Sequence, residues 1–269
     1  MIDFYVKLLH LTMRVLVFVG SFLWKVYIGI VFAIFAILLY PFFLILLWRK
    51  SWRKYSFKLF VFWSWMMRIF CLYHLRYIKK SELPEPPYII VANHTSYLDI
   101  FFMYSIFPDH PFVFLGKSEI LSYPIIRTYF QDLNIPVFRN DKRKAARSYI
   151  EAIKKVEQGY SLVIFPEGGI PDDDIPRMKR FKEGAFKLAK SCKIPLIPVT
   201  FTNNFKLFSD PTHHHGTARP GISRVYIHEY ILSEKVIEME LSDLANYCFR
   251  EINQPLMDEY PRLRDEKAQ

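Results

Sequence analysis

The hydrophobic pattern divides the chain into two regimes. Up to about residue 80 apolar side chains are nearly continuous, and beyond it they form short runs parted by polar segments. Residues 26–48, between Lys25 and Arg49, are a run of 23 without a charged side chain. About 20 apolar residues cross a bilayer core as a helix, so the run is long enough to be membrane-embedded. Residues 15–24 form a shorter uncharged stretch and read as a preceding interfacial helix. Pro41 interrupts the long run, where a helix can kink or a shallow insertion can end. A span, a hairpin and a dip into one leaflet all fit this pattern. The core helix of a soluble protein rarely stays apolar on every face for this length. A cleaved signal peptide has a shorter core and starts earlier. Arg49, Lys50, Arg53, Lys54 and Lys58 follow, mixed with Trp52, Tyr55, Trp63 and Trp65. Such cations favour the cytoplasmic face and such aromatics the headgroup layer. Residues 56–80 read as an amphipathic stretch on the interface. The segment 82–87 (ELPEPP) breaks any helix and serves as a linker. Two regions are therefore expected: 1–80, a membrane-anchoring helical region, and 81–269, a cytoplasm-facing domain.

Past the linker the pattern alternates. Residues 88–92, 112–115, 135–138, 162–165 and 196–201 read as buried strands, and 225–231 as a further one. Between them 96–107, 118–132, 142–158 and 181–191 read as helices, with 240–260 a C-terminal helix. Alternation of this kind predicts an α/β fold, a largely parallel sheet flanked by helices.

Charge sharpens the division. The chain carries 36 Lys and Arg against 26 Asp and Glu, a formal net charge of +10. Residues 1–80 hold 12 of the basic residues and one acid, Asp3, while residues 81–269 hold 24 basic and 25 acidic residues. The basicity belongs to the apolar region, which points to a membrane surface and away from nucleic acid. Three cysteines, Cys71, Cys192 and Cys248, form no CxxC pair. They exclude a disulfide scaffold and a Cys-only zinc site.

Ligands of open α/β sheets gather at the carboxyl ends of the strands. Asn93 and His94 follow the first expected strand, Lys117 the second, Arg139 the third, and Glu167, Gly168 and Gly169 the fourth. In NHTSYLD (93–99) a bend brings His94 towards Asp99. A carboxylate on one imidazole nitrogen fixes the tautomer and leaves the other nitrogen to take a proton from an alcohol. Ser96-x-x-Asp99 also fits a helix capping box, so both readings stand. In FPEGG (165–169) the two glycines permit close backbone approach to an anion, or simply end a strand. Arg139 offers a forked clamp for phosphate, or a surface ion pair.

NHTSYLD (93–99), IPVFR (135–139), FPEGG (165–169) and IPLIPV (194–199) resemble, in order and spacing, the four motifs of the glycerolipid acyltransferases. Within that group the resemblance is to the bacterial 1-acylglycerol-3-phosphate acyltransferases. It covers about residues 85–232, and FKEGAF (181–186) resembles the segment that follows the third motif there. The resemblance implies the glycerolipid acyltransferase fold behind an N-terminal membrane-embedded helical element, in phospholipid biosynthesis at the inner membrane. It implies His94 as general base and Asp99 as its partner, with the acyl group coming from acyl-CoA or acyl carrier protein. Arg139, Glu167, Gly168, Gly169 and Lys117 would hold the lysophospholipid acceptor, and amides near 197–199 would bind the oxyanion. No metal and no cofactor beyond the acyl donor are implied, and no acyl-enzyme. The third motif departs from the family, which continues with Thr or Ser and often Arg, where this chain has Gly169 and Ile170 before an acidic tract, Asp172 to Asp174. A lyso-aminolipid is accordingly an alternative acceptor. His213, His214 and His215 sit in a Pro- and Gly-rich segment and read as a solvated loop.

Overall fold

The computed structural model describes residues 2–122, 127–129, 133–138, 140–171, 174–210 and 216–264. Helix α1 (Ile2–Trp48) has 47 residues, a length of about 70 Å at 1.5 Å per residue. The separate interfacial helix expected at 15–24 is part of this one continuous helix, which also runs through Pro41. A proline removes one intrahelical hydrogen bond, and tertiary packing holds the helix across the gap. Ile28, Val31, Ala36, Leu39, Phe43 and Leu47 form a buried stripe at helical spacing. The intervening Ile30, Ile34, Ile37, Leu38, Phe42 and Ile45 stay exposed. The apolar run thus has one face packed on protein and the others free.

A 3-10 turn (Lys50–Tyr55) leads into α2 (Ser56–Phe70), which packs between α1 and α3 (Leu98–Ile106). The expected amphipathic stretch 56–80 is therefore divided, because Tyr73–Lys80 is a strand, β1. Tyr73 is buried and Leu75 and Tyr77 half-buried, while His74 and Arg76 point out; that period of two belongs to a strand and not a helix. The sheet accordingly begins before residue 81.

The remaining strands are β2 (Ile89–Ala92), β3 (Phe112–Lys117), β4 (Ile135–Val137), β5 (Ser161–Ile164), β6 (Leu196–Phe201) and β7 (Gly221–Ile227). They form one seven-stranded sheet in the order β1-β7-β6-β2-β5-β3-β4. β6, β2, β5, β3 and β4 are mutually parallel; β7 is antiparallel to β6 and parallel to β1. The largely parallel expectation holds, with a reversed pair at one edge.

Pleating assigns the two faces. Ile90, Ala92, Phe114, Val163, Ile197 and Val199 meet the aromatic layer of α1–α3. Ile89, Val91, Val113, Leu162, Ile164 and Leu196 meet the opposite layer, built on α4 (Lys142–Glu157), α5 (Gly184–Cys192) and, further along, α8 (Leu241–Glu259). Two short helices, α6 (Asn204–Leu207) and α7 (Ser233–Glu238), flank β7 in sequence. Central strands covered on both sides read as continuous apolar runs, which is why 88–92 and 196–201 were legible. The helix expected over 118–132 is a 3-10 turn at Ser118–Ser122 and a helical stretch at 127–129, the remainder lying outside the described residues. Tyr129 of that stretch donates its hydroxyl to the Ala36 carbonyl at 2.6 Å, tying the loop after β3 to α1.

Candidate active site

The five parallel strands end along one edge, and the residues that follow β2 and β5 meet there. Asn93 leaves β2 and clasps β6: its Nδ2 donates to the Phe201 carbonyl at 2.9 Å and its Oδ1 accepts the Phe201 amide at 2.8 Å. This side chain continues the sheet ladder one residue past the backbone, and so fixes where His94 emerges.

His94 is 8% exposed. Its Nδ1 lies 3.0 Å from Oδ2 of Asp99. The same oxygen accepts the amides of Thr95 at 2.7 Å and Ser96 at 2.9 Å, and Asp99 is fully buried. A carboxylate accepts only, so Nδ1 carries a proton, and in the neutral ring Nε2 presents the lone pair. The capping-box reading is met in part: Asp99 accepts the Ser96 amide, while Ser96 Oγ accepts from the Leu98 amide at 3.1 Å and not from that of Asp99. One carboxylate does both, so the readings are complementary. Phe165 stacks on the imidazole with centroids 4.2 Å apart and planes at 16°.

Glu167 lies beneath His94. Its Oε1 accepts the His94 amide and its Oε2 the Lys179 amide, each at 2.8 Å, and the residue is 4% exposed. Burial raises the carboxyl to about 7; the two amide bonds oppose the rise and the nearby Asp99 charge adds to it. Gly168 closes the turn by donating its amide to the Phe165 carbonyl at 2.9 Å. A Cβ at position 169 would stand 2.8 Å from the Lys117 ammonium nitrogen and 2.9 Å from its Cε. The missing side chain of Gly169 is thus the space that the end of Lys117 occupies. Lys117 and the 165–169 turn come together at the ends of β3 and β5; Arg139 lies outside the described residues, as do His213, His214, His215, Asp172 and Asp173.

Downstream of this turn, Arg177 is held by Asp174 at 2.5 Å, and Arg262 reaches the same carboxylate at 3.2 Å. The oxyanion expectation at 197–199 does not match the geometry. All three residues lie within β6 and pair with β2, from Ile90↔Ile197 to Ala92↔Val199, and Pro198 has no amide hydrogen to donate. Among the described residues no three His, Cys, Asp or Glu side chains cluster as for a metal.

Sequence reading missed Asn204. Its Nδ2 donates to Asp99 Oδ1 at 2.7 Å, and its Oδ1 accepts from Ser223 Oγ at 2.6 Å. Asn203-Asn204 stands at the exit of β6, so the strand-exit rule that found His94 also points to it.

Residues 74–202 match the family model described as Acyltransferase. A chloroplastic 1-acyl-sn-glycerol-3-phosphate acyltransferase of Brassica napus is 29% identical over 210 residues, 77% of this chain and 58% of that one. A Saccharomyces cerevisiae protein of the same activity is 30% identical, covering 65% of this chain and 60% of its own length. One from Borreliella burgdorferi is 32% identical, with coverages of 62% and 63%. The chain thus spans about three fifths of the length of these relatives. The crystal structure of a Thermotoga maritima 1-acyl-sn-glycerophosphate acyltransferase shares the fold, with a TM-score of 0.72 and 21% identity. That match covers 93% of this chain and 99% of the other.

Proposed function

We propose, from the match of residues 74–202 to the acyltransferase family model, that the protein belongs to that family and is an O-acyltransferase making phosphatidic acid. It moves a fatty acyl group from a thioester, acyl-CoA or acyl carrier protein, to the free hydroxyl of 1-acylglycerol-3-phosphate. The observation that carries this reading is the His94–Asp99 pair at the strand ends, with Nδ1 engaged and Nε2 left to act.

His94 Nε2 takes the proton as the acceptor hydroxyl oxygen attacks the thioester carbonyl carbon. The carbon–oxygen bond forms and the carbon–sulfur bond breaks. The imidazolium then returns its proton to the departing thiolate, and the balance closes without a metal, a cofactor or an acyl-enzyme. Asp99 stabilises the imidazolium while the charge lasts. Lys117, beside Gly168 and Gly169, supplies positive charge for the acceptor phosphate, and Arg139 is a second cation for the same group. Glu167 serves by holding the His94 backbone, since both its oxygens are already engaged.

The lipid acceptor and the 45-residue apolar helix 4–48 suit a protein bound to the inner membrane with its catalytic domain, sheet included, on the cytoplasmic side. The cations from Arg49 to Lys58 support that orientation.

The test is acyl transfer by membranes holding wild type or His94→Ala, with labelled acyl-CoA and acyl carrier protein as donors. Lysophosphatidic acid and a lyso-aminolipid are offered in parallel. His94-dependent use of lysophosphatidic acid is the expected result. Preference for the aminolipid would reassign the acceptor, and full activity of His94→Ala would sink the mechanism.

A further inference from the structure

We propose that Asn204 and Ser223 are positioning residues, which hold the Asp99 carboxylate in the plane that orients His94. The inference rests on the reading of His94 as general base. Both residues lie beyond 74–202, the segment matched by the family model.

A carboxylate rotates about its Cβ–Cγ bond unless both oxygens are engaged. Oδ2 of Asp99 takes His94, Thr95 and Ser96, all from its own bend. The remaining oxygen, Oδ1, takes the Asn204 amide at 2.7 Å, from a position 105 residues away. Asp99, Asn204 and Ser223 are each fully buried, so no solvent replaces a lost partner and an unmet acceptor there is costly.

Ser223 decides which way the Asn204 amide faces. Its hydroxyl donates to Oδ1 at 2.6 Å, which turns Nδ2 towards Asp99. Flipping the amide would set oxygen against the carboxylate. Asn203 holds the pair in register: its Nδ2 donates to the Ile222 carbonyl and its Oδ1 accepts the Arg224 amide, at 2.8 and 2.9 Å, bracketing Ser223. The reversed strand β7 brings its first residues to the edge where the parallel strands end. The antiparallel addition to the sheet thereby reaches the catalytic pair through two neutral side chains.

The Asn204 amide meets both demands, one donor and one acceptor. Leucine would leave Oδ1 of Asp99 without a donor. Aspartate can donate to Asp99 only while protonated, since two ionised carboxylates repel.

The experiment compares wild type, Asn204→Leu, Asn204→Asp and Ser223→Ala as full-length, membrane-reconstituted protein. It reads kcat, KM for both substrates, the pH profile, and thermal unfolding of each variant. Asn204→Leu is expected to lose about 10-fold or more in kcat with KM within about twofold, the scale of a lost orienting partner. Ser223→Ala should lose less, and adding it to Asn204→Leu should change nothing further. Asn204→Asp should acquire a basic limb, activity falling as pH rises and the new carboxyl ionises beside Asp99. Wild-type kcat in Asn204→Leu would overturn the proposal, as would a loss that vanishes on correction for folded protein. Failure of the base itself shows separately: His94→Ala would then be active. An inactive His94→Ala beside a normal Asn204→Leu sinks only the positioning role.

Discussion

Asp99 ends three hydrogen bonds on one oxygen, all from within the 93–99 bend, and a fourth on the other, from Asn204. The bend is stabilised by the same carboxylate that orients the imidazole. Glu167 was visible as a strand-end acid, but its partners were not, because backbone amides leave no trace in a sequence. Its raised carboxyl has consequences of opposite sign. The folded state holds the proton more tightly than the unfolded chain, so Glu167 makes the fold less stable as pH rises from about 4.5 to about 7. Protonation puts an O–H against one of the two amides, so the His94 loop is best ordered above about 7. Activity should therefore fall as pH drops through that value, while the melting temperature rises. Glu167→Gln, which sets an NH₂ against one amide at every pH, should be slower throughout and lack this pH dependence of melting. A melting slope equal to that of wild type between pH 4.5 and 7 would refute the assignment.

Among the elements, α1 shows what periodicity conveys and where it stops. A run apolar on all faces contains no stripe to read, so which face meets protein was settled only by α2 and the sheet. Phe43 is fully buried against Phe60 and Tyr129, with ring centroids 4.8 Å away in each case. Its neighbour Phe42 is 55% exposed. Phe43→Ala should cost about 3–5 kcal/mol, and Phe42→Ala should leave unfolding in detergent nearly unchanged. Equal effects would mean that the helix is not packed by this stripe. β1 was read as interface because its cations and aromatics suit a headgroup layer. In the sheet the same residues alternate across an edge strand, paired in parallel with β7 from Tyr73↔Gly221 onwards.

The molecule as a whole joins a sheet domain to a helix that outreaches it. Residues 4–20 of α1 are exposed all round, and Ser21 is the first buried position. Leu16 and Val19, 61% and 45% exposed, touch the fold little. Replacing both with Asp should leave unfolding unchanged but release the protein from vesicles in a flotation assay. A buried acid costs about 2.5–3.5 kcal/mol at the centre of an inserted helix. Retention of the double variant on vesicles would show that this part of α1 does not enter the bilayer.

The sequence alone determined the apolar helix, the alternating α/β order and the His94–Asp99 bend. Each rests on neighbours in the chain: a continuous hydrophobic run, strands covered on both faces, and a five-residue spacing. Tertiary structure decided the rest. It joined β1 and β7 to the sheet, packed one stripe of α1, set Lys117 in the space Gly169 leaves, and brought Asn204 and Ser223 to Asp99. Those contacts link residues far apart in sequence, and each depends on a strand order and direction that local pattern does not encode.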